Sequence, residues 1–128
     1  MMKEFITGLQ HIGLPTANMD ATTAFYKELG FEVVYETINE ANGARVAFLK
    51  QGNLTIEAYE DEAKMATGSI DHVAIDVTDI AKVYEIICEK NLNTLQDTIN
   101  FLPFWDNGVK FFTILGPNKE RVEFSQMM

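Results

Sequence analysis

The sequence predicts an α+β fold. Two βαβββ modules, about residues 5–60 and 70–126, form a concave mixed sheet within a single domain spanning residues 1–128. Three observations predict it. The stretch "HIGLPTANMDATTAFYKELGFEVV", beginning at residue 11, returns as "HVAIDVTDIAKVYEIICEKNLNTL", beginning at residue 72. The shift that carries His11 to His72, 72 − 11 = 61, also carries Asn18 to Asp79 and Gly30 to Asn91. Asn and Asp are preferred helix N-caps, and Gly and Asn tolerate the left-handed position that closes a helix. Finally, three extended segments follow each helical stretch, and polar turns separate most of them.

In chain order, residues 9–14 read as a strand with Ile12 and Leu14 on one side and His11 and Gly13 on the other. The first helix carries Met19, Thr22, Phe25, Tyr26 and Leu29 on its inner face. Strands are predicted over 31–38, 44–50 and 54–60, separated by the turns "NEANG" at 39–43 and "QGN" at 51–53. In the last of them Leu54 and Ile56 oppose Thr55, Glu57 and Tyr59. The polar segment "DEAKMATGS" at 61–69 reads as the linker between modules. A strand at 70–77 sets Val73, Ile75 and Val77 against His72, Ala74 and Asp76. The second helix has Ile80, Val83, Tyr84, Ile87 and Cys88 at one-face spacing. Strands are then predicted over 93–98, 109–115 and 120–126, with the turn "LGPNKE" at 115–120. In the last strand Val122 and Phe124 oppose Arg121, Glu123 and Ser125.

One helix per module covers one face of its strands. The apolar set of each strand suits that helix layer, and the opposite face is left for solvent, a partner or a cavity. On that opposite face stand His11, Glu57, His72 and Glu123, at equivalent places in the two modules. Two imidazoles and two carboxylates form a mixed N/O donor set suited to a borderline divalent cation: Ni²⁺, Zn²⁺, Co²⁺, Fe²⁺ or Mn²⁺. Four protein ligands leave two octahedral positions for water or a chelating substrate. Without a cation, two carboxylates facing each other would repel.

Composition narrows the function. The formal net charge of −9 argues against a nucleic-acid backbone or an anionic membrane as partner. No apolar run reaches the length of a membrane span, and "MMKEFITGLQ" carries no signal-type apolar stretch, so a cytoplasmic protein is expected. The single cysteine, Cys88, reads as a buried small hydrophobe of the second helix. "FLPFWDNG" at 101–108 offers Phe101, Phe104 and Trp105 either as an apolar wall of a binding cavity or as a subunit contact.

The pieces "HIGLPTANMDATTAFYKELGFEVV", "LTIEAYE", "IDHVAIDV" and "GPNKERVEFSQ" resemble the vicinal oxygen chelate superfamily, which includes glyoxalase I, bleomycin- and fosfomycin-resistance proteins, extradiol dioxygenases and methylmalonyl-CoA epimerase. The resemblance spans essentially the whole chain. It implies that His11, Glu57, His72 and Glu123 are metal ligands, and the acid at Glu57 favours the glyoxalase I branch. It further implies one divalent metal ion, no organic cofactor, and a lyase or isomerase acting on a small α-oxo carbonyl compound or its thiol adduct through a metal-bound enediolate. Glu123 is then the expected base and Glu57 its pseudo-symmetric partner. Arg45, Tyr59, Phe101, Phe104, Trp105 and Arg121 are the candidate substrate contacts. A sequestering binding protein and a metal-dependent epimerase are the alternatives. A homodimer is expected, with four ligands drawn from one chain or from two.

Overall fold

The computed structural model describes residues 2–5 and 7–128. The chain divides into two compact units, the first ending at Lys64 and the second beginning at Met65. A short 3-10 turn, Met2–Phe5, precedes the first sheet.

The first unit runs β1 (Ile12–Thr16), α1 (Met19–Glu28), β2 (Glu32–Asn39), β3 (Ala44–Gln51) and β4 (Leu54–Glu60). Its four strands pair in the order β1-β4-β3-β2. β1 lies parallel to β4, and the other pairings are antiparallel. The second unit repeats this with β5 (His72–Asp76), α2 (Ile80–Glu89), β6 (Asn100–Leu102), β7 (Val109–Leu115) and β8 (Arg121–Met127). Its sheet order is β5-β8-β7-β6, again with a parallel β5–β8 pair. The α+β fold of two βαβββ modules is therefore present, with one mixed sheet per module.

Both helices begin and end as the sequence repeat requires. Asn18 Oδ1 accepts the Ala21 amide at 3.0 Å, and Asp79 Oδ1 accepts the Lys82 amide at 3.1 Å. Each cap satisfies an N–H that the helix leaves without a partner. At the other end Gly30 has φ +97° and Asn91 has φ +58°. The residue after each then bonds back across the last turn, Phe31 N–H to Tyr26 O at 3.0 Å and Leu92 N–H to Ile87 O at 3.1 Å. This is the Schellman closure, made by a glycine in one unit and an asparagine in the other.

Each helix covers one sheet face. Met19, Thr22 and Tyr26 of α1 are buried with Phe31, Ala47, Leu49, Ile56 and Ala58. Ile80 and Ile87 of α2 are buried, as are Phe112, Ile114, Val122 and Phe124. Tyr84 meets Phe112 edge-on at 5.1 Å, and Phe112 lies 5.2 Å from Phe124. Burying a side chain of this size contributes roughly 1.5–3 kcal/mol. Within each unit, no described helix lies on the opposite face of the sheet.

Two expectations are corrected. Residues 93–98 are not a strand, and the third element of that module is the short β6. Asn93 and Asp97 fold the segment onto itself. Asn93 Oδ1 accepts the Asp97 amide at 3.1 Å, and Asn93 Nδ2 donates to Asp97 O at 3.0 Å. Asp97 Oδ1 accepts the Thr98 amide at 2.9 Å. Such side-chain bonds offer the backbone an alternative to a ladder. Cys88, expected in the core, is exposed at the end of α2, with Asn93 Nδ2 at 3.8 Å from its sulfur. The turn therefore sets a polar amide against Cys88 where a strand was expected.

Asp97 also accepts the part-buried Thr113 amide at 2.9 Å, tying the turn to β7. Asp97→Ala should therefore lower unfolding free energy by about 1–3 kcal/mol, read from urea denaturation, because these amides lose their acceptor. An unchanged midpoint and slope would contradict this account of the turn.

Candidate metal centre

Parallel pairing places a histidine and a glutamate together in each unit. On β1 and β4, Gly13 stands opposite Glu57, and His11 lies two residues before Gly13 on the same side. On β5 and β8, Ala74 stands opposite Glu123, and His72 lies two residues before Ala74. The strand residue opposite each glutamate is small, Gly13 in one unit and Ala74 in the other. His11 Nε2 is 3.6 Å from Glu57 Oε1, and His72 Nε2 is 3.8 Å from Glu123 Oε1. Among the described residues the donors come as these pairs, and no group of three or more His, Cys, Asp and Glu is close enough to hold an ion.

The other nitrogen of each ring is already engaged. His11 Nδ1 lies 2.9 Å from Gln10 Oε1, and His72 Nδ1 lies 2.8 Å from Asp71 Oδ2. A carboxylate or amide oxygen only accepts, so each of these contacts is a hydrogen bond when Nδ1 carries the ring proton. In the neutral ring Nε2 then presents a lone pair to a carboxylate oxygen that is also an acceptor. Separations of 3.6 and 3.8 Å are too long for a hydrogen bond. They do suit a shared cation. Ligand atoms about 2.1 Å from a zinc-sized ion stand roughly 3.0 Å apart at right angles and roughly 4.2 Å apart when opposed. The donor chemistry and the spacing in each unit thus fit a borderline divalent metal.

Surroundings of the pairs differ. On β3, Phe48 stands opposite Glu57, and its ring meets His11 edge-on at 5.8 Å. Tyr35 of β2 adds a further ring at 6.0 Å from Phe48. Tyr59, on the Glu57 side of β4, lies close over Gly13, 3.6 Å from where a Cβ would be. On β7, Thr113 stands opposite Glu123. Arg121 is opposite His72 in register, with Nε 3.8 Å from Asp71 Oδ2. That Nε is buried and lacks a hydrogen-bond partner among the described residues. The His72 hydrogen bond, aided by the Arg121 charge, holds the Asp71 carboxyl below the usual carboxylate range although desolvation opposes it.

Of the other substrate candidates, Tyr59 and Arg121 lie beside a pair. Arg45 does not. It shares the helix side of β3 with Ala47 and Leu49 and pairs with Asp20 of α1 at 3.1 Å. Phe101 stands opposite Lys110, so the pleat places it on the far side of the second sheet from Phe111, Thr113 and Glu123. Its ring packs over Gly108, where a Cβ would collide with it. Phe104 and Trp105 are exposed in the turn between β6 and β7. Sequence reasoning missed Gln10, Asp71, Phe48, Tyr35 and Thr113. The shift of 61 residues did hold the signal for two of them, since 10 + 61 = 71.

Fold and donors together define a class: two βαβββ modules, each presenting an imidazole at the head of its first strand and a carboxylate on its last, on the face its helix leaves open. The chain belongs to the Glyoxalase/Bleomycin resistance protein/Dioxygenase superfamily, whose profile matches residues 8–124. It is 31% identical over 125 residues to the uncharacterized protein YwbC of Bacillus subtilis (strain 168), covering 92% of this chain and 96% of that protein. Among solved structures, it is similar to a glyoxalase family protein from Enterococcus faecalis, with TM-score 0.78, 24% identity, and 94% and 98% of the two chains covered. It is also similar to the fosfomycin resistance protein FosX from Listeria monocytogenes, complexed with Mn(II) and sulfate, with TM-score 0.72, 17% identity, and 96% and 94% covered. Both structural likenesses are likenesses of fold.

Proposed function

We propose that the protein is a divalent-metal-dependent lyase or isomerase of the glyoxalase I type, acting on a small α-oxo carbonyl compound or its thiol adduct. The observation that carries this reading is the repeated pair: a ring nitrogen and a carboxylate oxygen, both acceptors, held 3.6 and 3.8 Å apart with the second ring nitrogen already bonded. His11, Glu57, His72 and Glu123 are the proposed ligands. Each pair supplies two, so a four-ligand ion takes two pairs, whichever chains they belong to. The bound ion, nickel, zinc, cobalt, iron or manganese, supplies the positive charge that offsets negative charge developing on vicinal substrate oxygens.

The protein's own groups would move the proton. Glu123 would take it from the carbon bearing the hydroxyl and return it to the neighbouring carbonyl carbon, while the hydroxyl proton passes to the former carbonyl oxygen, which isomerises the substrate without a net change in atoms. Two features favour Glu123 over Glu57 as base. Its side chain is 17% exposed against 29% for Glu57, so it is the better shielded from water. Its β7 neighbour is Thr113, whereas Glu57 faces the ring of Phe48, so there is more room beside Glu123. Phe48, Tyr35 and Tyr59 would carry the apolar part of the substrate. The assembly is proposed to be a homodimer working in the cytoplasm.

His72→Ala tests the ligand assignment. Ni²⁺ affinity of chelator-stripped protein, measured by calorimetry, should fall by at least 10²-fold, since a whole ligand is removed where loss of even an outer hydrogen bond costs 10–100-fold. Equal affinity in the variant would contradict it.

A further inference from the structure

We propose that Gln10 and Asp71 are positioning residues that lock His11 and His72 in the Nδ1–H tautomer, aiming each Nε2 lone pair at its glutamate, and that Asp71, braced by Arg121, makes His72 the stronger donor of the two. The inference rests on reading His11 and His72 as metal ligands. It concerns groups on the far side of each ring.

The geometry is the same in both units. The residue immediately before each histidine turns an oxygen onto Nδ1, at 2.9 Å from Gln10 and 2.8 Å from Asp71. Residue type differs, one amide and one acid, but position and contact repeat with the 61-residue shift. A histidine side chain free in water favours the other tautomer, with the proton on Nε2. That form would turn an N–H towards Glu57 or Glu123 and leave no lone pair there for a cation. An acceptor fixed at Nδ1 selects the form that binds metal.

The two acceptors are not equivalent. An ionised acceptor makes a stronger hydrogen bond than a neutral amide and donates more electron density to the ring. Asp71 is held in that role by Arg121, whose buried Nε lies 3.8 Å from Oδ2 and has no hydrogen-bond partner among the described residues. The place equivalent to Arg121 in the first unit, 121 − 66 = 55, using the shift of 66 that relates Glu57 to Glu123, is Thr55. His11 therefore has a neutral acceptor, and the position equivalent to Arg121 carries no charge. The second unit is built to hold its side of an ion more firmly.

Metal-free, ¹⁵N-labelled protein at a pH above imidazole titration tests the orientation directly. Two-bond ¹H–¹⁵N correlations should show both rings protonated at Nδ1. Asp71→Ala should release His72 alone towards Nε2–H, and Gln10→Ala should release His11 alone. Asp71→Asn should keep Nδ1–H, because its amide oxygen still accepts. In Ni²⁺ titrations Asp71→Ala should lose about 10–100-fold in affinity, with smaller losses for Asp71→Asn and Gln10→Ala. A wild-type His72 protonated at Nε2, or an Asp71→Ala ring unchanged from wild type, overturns the tautomer lock. A larger loss from Gln10→Ala than from Asp71→Ala overturns the ranking. Fixed Nδ1–H tautomers in a protein that takes up no metal would overturn the metal reading and leave the orientation standing.

Discussion

Glu123→Gln is expected to lower turnover of methylglyoxal–thiol adducts by about 10²–10⁴-fold, the usual contribution of a positioned base. Glutamine keeps the length of the side chain and one oxygen, so the metal should be retained at reduced affinity. The fold should be unaffected, because residue 123 sits on the open face of β8, between Ala74 of β5 and Thr113 of β7, while the core on the other side is built by Val122 and Phe124. Glu57→Gln should cost less. The reverse order, with Glu57→Gln the more damaging, would transfer the base to Glu57. If no dicarbonyl or thiol adduct turns over with any of the five metals while small molecules still bind, the protein sequesters and does not convert.

Subunit complementation should produce the other large effect. One variant combines His11→Ala with Glu57→Ala, and the other combines His72→Ala with Glu123→Ala. Each alone should lose metal binding almost completely, since each retains one pair. Mixing them separates two arrangements of the proposed homodimer. If an ion takes its two pairs from different chains, a heterodimer has one complete set and one empty set, and half of the heterodimer's sites should recover metal. If both pairs come from the same chain, no mixture recovers any. A chain that is monomeric at micromolar concentration by light scattering would rule out the exchanged arrangement.

The repeat made most of the fold legible. His11 and His72, Asn18 and Asp79, and Gly30 and Asn91 are single residues. Each pair marks the same event in both units: strand start, helix start and helix closure. Period-two alternation then placed Ile56, Val122 and Phe124 in the core and Glu57 and Glu123 away from it, and burial agrees. The segment after the second helix was not legible. "NLNTLQ" has no strong period, and the side chains of Asn93 and Asp97 compete for the backbone in a way that strand propensity ignores. Cys88 was misplaced for the same reason, because its exposure depends on how that segment folds. Arg45 was also hard to place. Its strand position was correct, but the arginine pairs with Asp20 of the helix, a contact 25 residues away that no local pattern encodes. The orienting contacts of Gln10 and Asp71 join neighbours in sequence, yet they depend on ring orientation, which sequence does not report.

His11, Glu57, His72 and Glu123 are proposed to hold one divalent cation between them. The decisive measurement is a calorimetric titration of chelator-stripped protein with Ni²⁺, beside the His11→Ala, His72→Ala double variant. The wild type should take up about one ion per chain, since four ligands per ion suit this donor set. The double variant should show no measurable uptake. Equal uptake by the two proteins would mean that these histidines are not the ligands.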